Sequence, residues 1–218
     1  MNKKFLSLAL ALLIVAMSGA CVFSESRADL KRMSDFLNCF TELNLFNFDT
    51  NADATDGEEE GILHLGNPYN LSELIRFGIR HNYIHNAAQA IQSAPTRNDY
   101  GSLVIDGRFV AEAVERYFGF KIRNRSVIDT EPSFYYDGRN YYFEAYETFD
   151  DGAPIYYTDV KQIKVEGDGV ELTGEIYDSQ DSADRPGTFT AHARRVGRDG
   201  LVITSMMTDW IGEWRGEE

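Results

Sequence analysis

The sequence predicts an α+β domain: three helices packed on a curved antiparallel sheet. Two observations carry that expectation. In three segments between residues 29 and 118, parted by an acidic loop and a short strand, apolar side chains recur every three or four positions, the spacing of one helix face. From Phe134 onward the recurrence changes to every second residue, with glycine-containing turns between the segments, as in strands with one wet face. Helices first and a meander of strands after them define an α+β layout.

The chain opens outside that domain. Lys3 and Lys4 precede Phe5 to Met17, a run with no charge and only Ser7 polar, and Ser18-Gly19-Ala20 follows before Cys21. A positive start, an apolar middle and a small-residue end form a secretory signal peptide. The apolar run is shorter than the roughly 20 residues a membrane-spanning helix needs. Residues 1–20 are thus expected to be a signal peptide, 21–28 a tether and 29–214 a single α+β domain. Gly19-Ala20-Cys21 fits a lipobox, in which the cysteine sulfur accepts a diacylglycerol. Ser18 stands where Leu or Val is usual, and Ser18-x-Ala20 also suits ordinary signal peptidase cleavage. The expected location is the outer face of the cell membrane through a lipid on Cys21, or secretion if Cys21 is not lipidated.

Charge narrows the partners. The chain has 21 Lys+Arg against 35 Asp+Glu; without Lys3 and Lys4 the balance is 19 against 35, or −16. Such a field repels phosphate backbones, so nucleic acid is not an expected partner. The membrane is expected as a partner through the anchor alone. Cys21 and Cys39 are the two cysteines. With Cys21 acylated, Cys39 packs in a helix as a small apolar residue; otherwise the two can pair.

The elements follow in order. Met33, Phe36, Leu37, Phe40 and Leu43 make a helix from Asp29 to near Asn47. The acidic segment 49–60 is a loop. Asn67-Pro68 marks a turn, Asn70 caps a second helix with Glu73 in the capping-box position, and Tyr69 with Leu74 forms a hydrophobic staple. Leu71, Leu74, Ile75, Phe77, Ile79, Ile84, Ala88 and Ile91 give that helix a broad apolar surface, and Pro95 ends it. Ser102 to Ile105 is a short strand. Asp106 caps a third helix bearing Phe109, Val110, Val114, Tyr117 and Phe118, and Gly119 stops it. Phe134 to Phe143 is a hairpin around Asp137-Gly138. Strands follow at 155–165, 170–177, 188–196 and 201–207. Their inward sets read Ile163 and Val165; Val170, Leu172 and Ile176; Phe189, Ala191 and Ala193; Leu201, Ile203 and Met207.

The order helix, helix, short strand, helix, long strands across about residues 30–210 resembles the cone-shaped fold of nuclear transport factor 2-like domains. That resemblance implies a curved sheet wrapping helices around a pocket. The Cys21 leader, Leu74-Ile75-Arg76-Phe77 with His81-Asn82, Tyr117-Phe118-Gly119, and Tyr136-Asp137-Gly138 with Tyr141-Tyr142-Phe143 resemble segments of small, functionally unassigned lipoproteins of Gram-positive gut-type bacteria. This second resemblance implies location rather than activity.

Several constellations bear on chemistry. Asp49, Asn51, Asp53, Thr55 and Glu60 occupy positions 1, 3, 5, 7 and 12 of an EF-hand-type calcium loop, but Ala54 replaces the turn glycine and Asp56 an apolar residue. These five are the candidate metal ligands, against the plainer reading of a solvated acidic loop. His81 and His85 are four apart on one helix face, a zinc spacing that a carboxylate could complete. The His-Glu-x-x-His base is absent, and a hydrogen-bonded histidine at the core edge is the plainer reading. Phe134 to Tyr157 is dense in aromatics, and Tyr135, Tyr142 and Tyr157 are candidate contacts for a surface glycan, peptide or protein. Tyr141 and Phe143 should be core and Tyr142 displayed, because Glu144 marks its face as wet. His192 is a candidate acid or base only if it points inward. No Gly-x-Ser-x-Gly elbow, P-loop or dinucleotide glycine pattern is present, and no cofactor is expected.

The function expected from the sequence is a non-catalytic binding or interaction module of the cell envelope. The alternative is a small-molecule carrier or enzyme that uses the interior of a cone. The leader can be tested alone: Cys21→Ala should abolish metabolic fatty-acid labelling and leave the protein released or unprocessed, and labelling that persists in this variant would exclude Cys21 as the lipid site.

Overall fold

The computed structural model of the protein describes residues 26–51, 62–65, 70–93, 102–122, 134–144, 154–197 and 200–211. Cys21, Tyr69 and most of the acidic segment lie outside the described residues.

The fold is α+β, with three helices among the described residues. Helix α1 (Arg27–Thr41) starts where Ser26 Oγ accepts the backbone N–H of Asp29, the usual service of an N-cap hydroxyl. It buries Met33, Leu37 and Phe40. It stops at Thr41, earlier than the apolar spacing predicts, in a turn where Asn44 adopts φ +58°. Helix α2 (Leu71–Ala90) is capped by Asn70, whose side chain accepts from the Glu73 N–H as expected. It is buried on two sides, Leu74 and Phe77 toward one core and Ile75 and Ile79 toward another. Ile84 and Ala88 are exposed, so the apolar surface is narrower at the C-terminal end than the sequence implies. Helix α3 (Gly107–Phe118) begins where Asp106 accepts from Arg108 N–H and ends at Gly119, φ +74°, a left-handed backbone that glycine adopts without a Cβ penalty.

The strands are β1 (Phe48–Asp49), β2 (Leu63–His64), β3 (Ile91–Ser93), β4 (Leu103–Asp106), β5 (Phe134–Tyr136), β6 (Asn140–Phe143), β7 (Tyr156–Glu166), β8 (Gly169–Asp178), β9 (Gly187–Val196) and β10 (Gly200–Trp210). They form two sheets rather than one, in orders β2-β1-β10-β9-β8-β7 and β3-β4-β6-β5. Every pairing is antiparallel except β1 with β2. The larger sheet closes on α1, Phe77 and the end of α3. Phe40 lies at the centre of that core, with the rings of Phe36, Phe48, Phe77, Tyr117 and Phe118 all at 5.5–5.7 Å. The smaller sheet covers the opposite side of α2 with Ile105, Phe134, Tyr141 and Phe143.

Two bulges interrupt the long strands, and the one in β10 alters an inward set. In β7 the register shifts between Val160 and Gln162. Tyr156, Thr158 and Val160 point inward, Ile163 is half-buried and Val165 is exposed. In β10 the shift between Ile203 and Ser205 turns Met206 inward instead of Met207. One extra residue exchanges the two faces beyond it. The sets from β8 and β9 are buried as expected. Tyr141 and Phe143 are core, but Tyr142 is only 8% exposed rather than displayed. Its hydroxyl donates to Asp137 Oδ2 at 3.0 Å and its ring lies 6.1 Å from Tyr135.

β7 is an edge strand of the large sheet, and polar residues of α1 complete it. Asn38 Oδ1 accepts from the Thr158 N–H at 2.8 Å and from its hydroxyl at 2.8 Å, while Ser34 Oγ accepts from the Val160 N–H at 2.9 Å. Asn38→Ala should leave the Thr158 N–H without its acceptor in a partly buried setting, at a cost of about 1–3 kcal/mol. Urea unfolding should show a lowered midpoint at unchanged slope, and a loss under about 0.5 kcal/mol would mean that this contact does not hold the helix to the sheet.

Candidate functional site

A groove of about 620 Å³ opens where α1, α2 and α3 meet, lined by Cys39, His81, Asn82, His85, Arg116 and Tyr117 among others. Each helix supplies its part through ordinary packing. Residues four apart share a helix face, so α2 presents His81 and His85 together. Cys39 lies one residue before the buried Phe40 on α1, and Tyr117 one residue after Arg116 on α3. Gly78 lets α2 and α3 approach closely, since a Cβ there would lie 2.7 Å from Val110 Cγ1. Asn82 fastens the same contact, its Nδ2 donating to Gly78 O at 2.8 Å and Phe109 O at 3.1 Å.

Cys39, His81 and His85 each offer a ligand atom, and these atoms all lie within 4.8 Å of one another. The Cys39 Sγ is 3.3 Å from Tyr117 Oη. His85 Nε2 is 2.8 Å from Glu42 Oε2. The imidazoles of His81 and His85 have centroids 4.8 Å apart, and His81 lies between the rings of Phe77, at 5.7 Å, and Tyr117, at 4.6 Å. His81 is 8% exposed, and its Nδ1 is buried without a hydrogen-bond partner.

The two histidines titrate in opposite directions. Burial, then the charges of His85 and Arg116, lowers His81 to about 4. Hydrogen bonds to Cys39 and then Glu42 raise His85 to about 10, against some opposing burial. Burial, followed by the hydrogen bond to Cys39, also pushes the Tyr117 phenol up. At neutral pH the site therefore holds one neutral and one charged imidazole, about 5 Å apart.

The residues singled out from the sequence fall elsewhere or join this site in part. His81 and His85 come together with Cys39, which the sequence marks as a packing residue or, with Cys21 unacylated, a disulfide partner. Glu42, Arg116 and Tyr117 were not legible as site residues. Among the tyrosines, Tyr135 is half-buried on β5, Tyr142 is buried on β6, and Tyr157 is half-buried on β7 with its ring 5.8 Å from Tyr177. They belong to two sheets and do not form one face. Asp49 ends β1, and its Oδ1 accepts the Asn51 N–H at 2.6 Å; Asp53, Thr55 and Glu60 lie outside the described residues. His192 is exposed, on the face opposite to the buried Ala191 and Ala193, so it does not point inward. No described helix is long and apolar enough to cross a membrane. Comparison with family models, curated proteins and solved structures returns no match, so the site is read from its own geometry.

The opposite shifts fix the pH dependence of stability. His81 binds its proton less readily folded than unfolded, so its contribution is present above about 6.5 and lost as pH falls toward 4. His85 binds its proton more readily folded, so its contribution is present below about 6.5 and lost as pH rises toward 10. In chelator, His81→Asn should flatten the acid limb of a melting-temperature profile between pH 6.5 and 4, and His85→Gln the alkaline limb between 6.5 and 10. Unchanged limbs in both variants would contradict the assignment.

Proposed function

We propose that the chain is an exported envelope protein, tethered through Cys21, that binds a small ligand in the groove between α1, α2 and α3. The observation that carries this reading is the buried, unpartnered Nδ1 of His81 beside a groove that Cys39, His85 and Tyr117 also line. An orphaned buried polar atom costs about 1–3 kcal/mol, and a groove with several convergent polar groups is where a ligand can relieve that cost. The reading favours a ligand site over recognition through a displayed tyrosine face, because Tyr142 is buried and the three candidate tyrosines are divided between two sheets.

A thiol nucleophile is supported less well. Cys39, His85 and Glu42 are arranged like a nucleophile, base and orienting carboxylate. However, Cys39 sits in the last turn of α1, where helix carbonyls oppose a thiolate rather than stabilise it.

A thermal-shift screen of small polar and anionic compounds on the purified full chain tests the reading. A compound present at a hundredfold excess over its Kd stabilises the fold by about 2.7 kcal/mol. Arg116 is exposed and lines the groove, so Arg116→Glu should weaken a groove-bound anionic compound while leaving the unliganded melting temperature nearly unchanged. Asn86 and Gln89 also line the groove; if every stabilising compound acts equally on the wild type and on Arg116→Glu, Gln89→Trp and Asn86→Trp, the groove is not the binding site.

A further inference from the structure

We propose that Cys39, His81 and His85 form a binding site for a borderline-soft divalent transition metal of the zinc type, with the remaining coordination position open to the groove. The inference rests on the groove reading above and names the ligand class of that site. It stands on three observations.

The first is the donor set. One thiol and two imidazoles from two helices bring their ligand atoms within 4.8 Å of one another. Tetrahedral zinc, with Zn–S near 2.3 Å and Zn–N near 2.0–2.1 Å, needs donors about 3.3–3.6 Å apart. The set has to contract by little more than about 1 Å, which side-chain rotation on fixed helices can supply. Sulfur and imidazole select zinc, cobalt or copper over calcium or magnesium, which take oxygen.

The second is the orphaned nitrogen. His81 is more than nine-tenths buried, and its Nδ1 has no hydrogen-bond partner.

The third is the surrounding shell. Glu42 lies 2.8 Å from His85 Nε2, the carboxylate–imidazole contact that orients a ligating histidine in metal sites. When His85 is neutral and donates to Glu42, its other ring nitrogen is the donor. Tyr117 Oη lies 3.3 Å from the Cys39 sulfur and supplies a hydrogen bond to a thiolate. The thiolate and the Glu42 carboxylate together balance a divalent ion. Arg116, exposed at the rim with its guanidinium 5.3 Å from the Tyr117 ring centroid, is the one cationic side chain lining the groove among the described residues besides protonated imidazole.

The test is titration of the purified full chain with Co(II) alone and with Zn(II) alone. One equivalent of cobalt should produce a thiolate-to-cobalt charge-transfer band, and zinc should displace it. The band requires sulfur, so carboxylates of the acidic segment cannot produce it. Cys39→Ser should abolish it, which also separates Cys39 from Cys21. Zinc at a hundredfold excess over its Kd should raise the melting temperature by about 5–10 °C. His85 is partly exposed, with 37% of its side chain accessible, so His85→Gln should fold and should bind cobalt at least tenfold more weakly. If Cys39→Ser does not fold, the His85→Gln titration decides. Absence of a charge-transfer band, a band that survives in Cys39→Ser, or equal cobalt affinity in His85→Gln would overturn the proposal. A compound from the thermal-shift screen that depends on Arg116 while cobalt gives no band would refute the metal and leave the groove reading standing.

Discussion

The fold depends on how α1 meets the open edge of the large sheet. An edge strand presents unpaired N–H groups that water or another chain would otherwise take. Here Ser34 and Asn38 accept from Val160 and Thr158 instead. The match is geometric. Residues four apart on a helix rise about 6 Å, and residues two apart on a strand are separated by about 6.5 Å. Two polar side chains on one helix face can therefore serve two successive outward N–H groups. Once they do, the rotation of α1 about its axis is fixed. Leu37 and Phe40 then point under the sheet, and Cys39 is turned toward α2. The same contact that completes the strand thus aims the cysteine.

The aromatic core makes that orientation hard to relax. Phe40 contacts rings from α1, β1, α2 and α3 at once, so a shift of one helix disturbs the packing of all the others. Protein interiors are packed to crystal-like density and transmit such shifts. Gly78 and Asn82 add a second constraint, holding α2 against α3 closely enough that Tyr117 reaches the Cys39 sulfur. The groove is held by apolar packing and by satisfied backbone groups.

Local rules read most of the fold from the sequence. Ser26 escaped them, but Asn70, Asp106 and Gly119 act as caps at the positions their chemistry indicates, and the hairpins turn where glycine permits. One failure arises because side-chain alternation cannot detect an inserted residue. The bulge at Ile203/Ser205 exchanges the two faces, which is why Met206 replaces Met207 in the core, while Val165 shares the inward face with its partner Val170 and is exposed at the hairpin end of β7. The division into two sheets was also not legible, because hairpin chemistry specifies neighbouring strands and not which sheet a hairpin joins. Tyr142 shows the limit of polarity as a guide. Glu144 marked its face as wet, yet the Tyr142 hydroxyl reaches Asp137 and the ring meets Tyr135. A tyrosine can satisfy its polar end within the protein and so need not face water.

The site was legible only by half. The spacing of His81 and His85 places two imidazoles on one face whatever the tertiary structure. Cys39 precedes His81 by 42 positions and lies in an apolar helical pattern, where a thiol looks like any small core residue. Its meaning comes from what α1, α2 and α3 bring around it. The surroundings then treat two chemically identical rings differently. His81, enclosed by Phe77 and Tyr117, loses solvation and stays neutral, while His85 at the rim gains Glu42 and Cys39 and holds its proton. An apolar side chain at position 81 would pack against the same rings without stranding a polar atom. A neutral imidazole there carries a desolvation cost of about 1–3 kcal/mol, a substantial fraction of the 5–15 kcal/mol that separates a folded domain from its unfolded chain. The core gains nothing from that nitrogen that a leucine would not supply, so packing alone does not account for a histidine at this position.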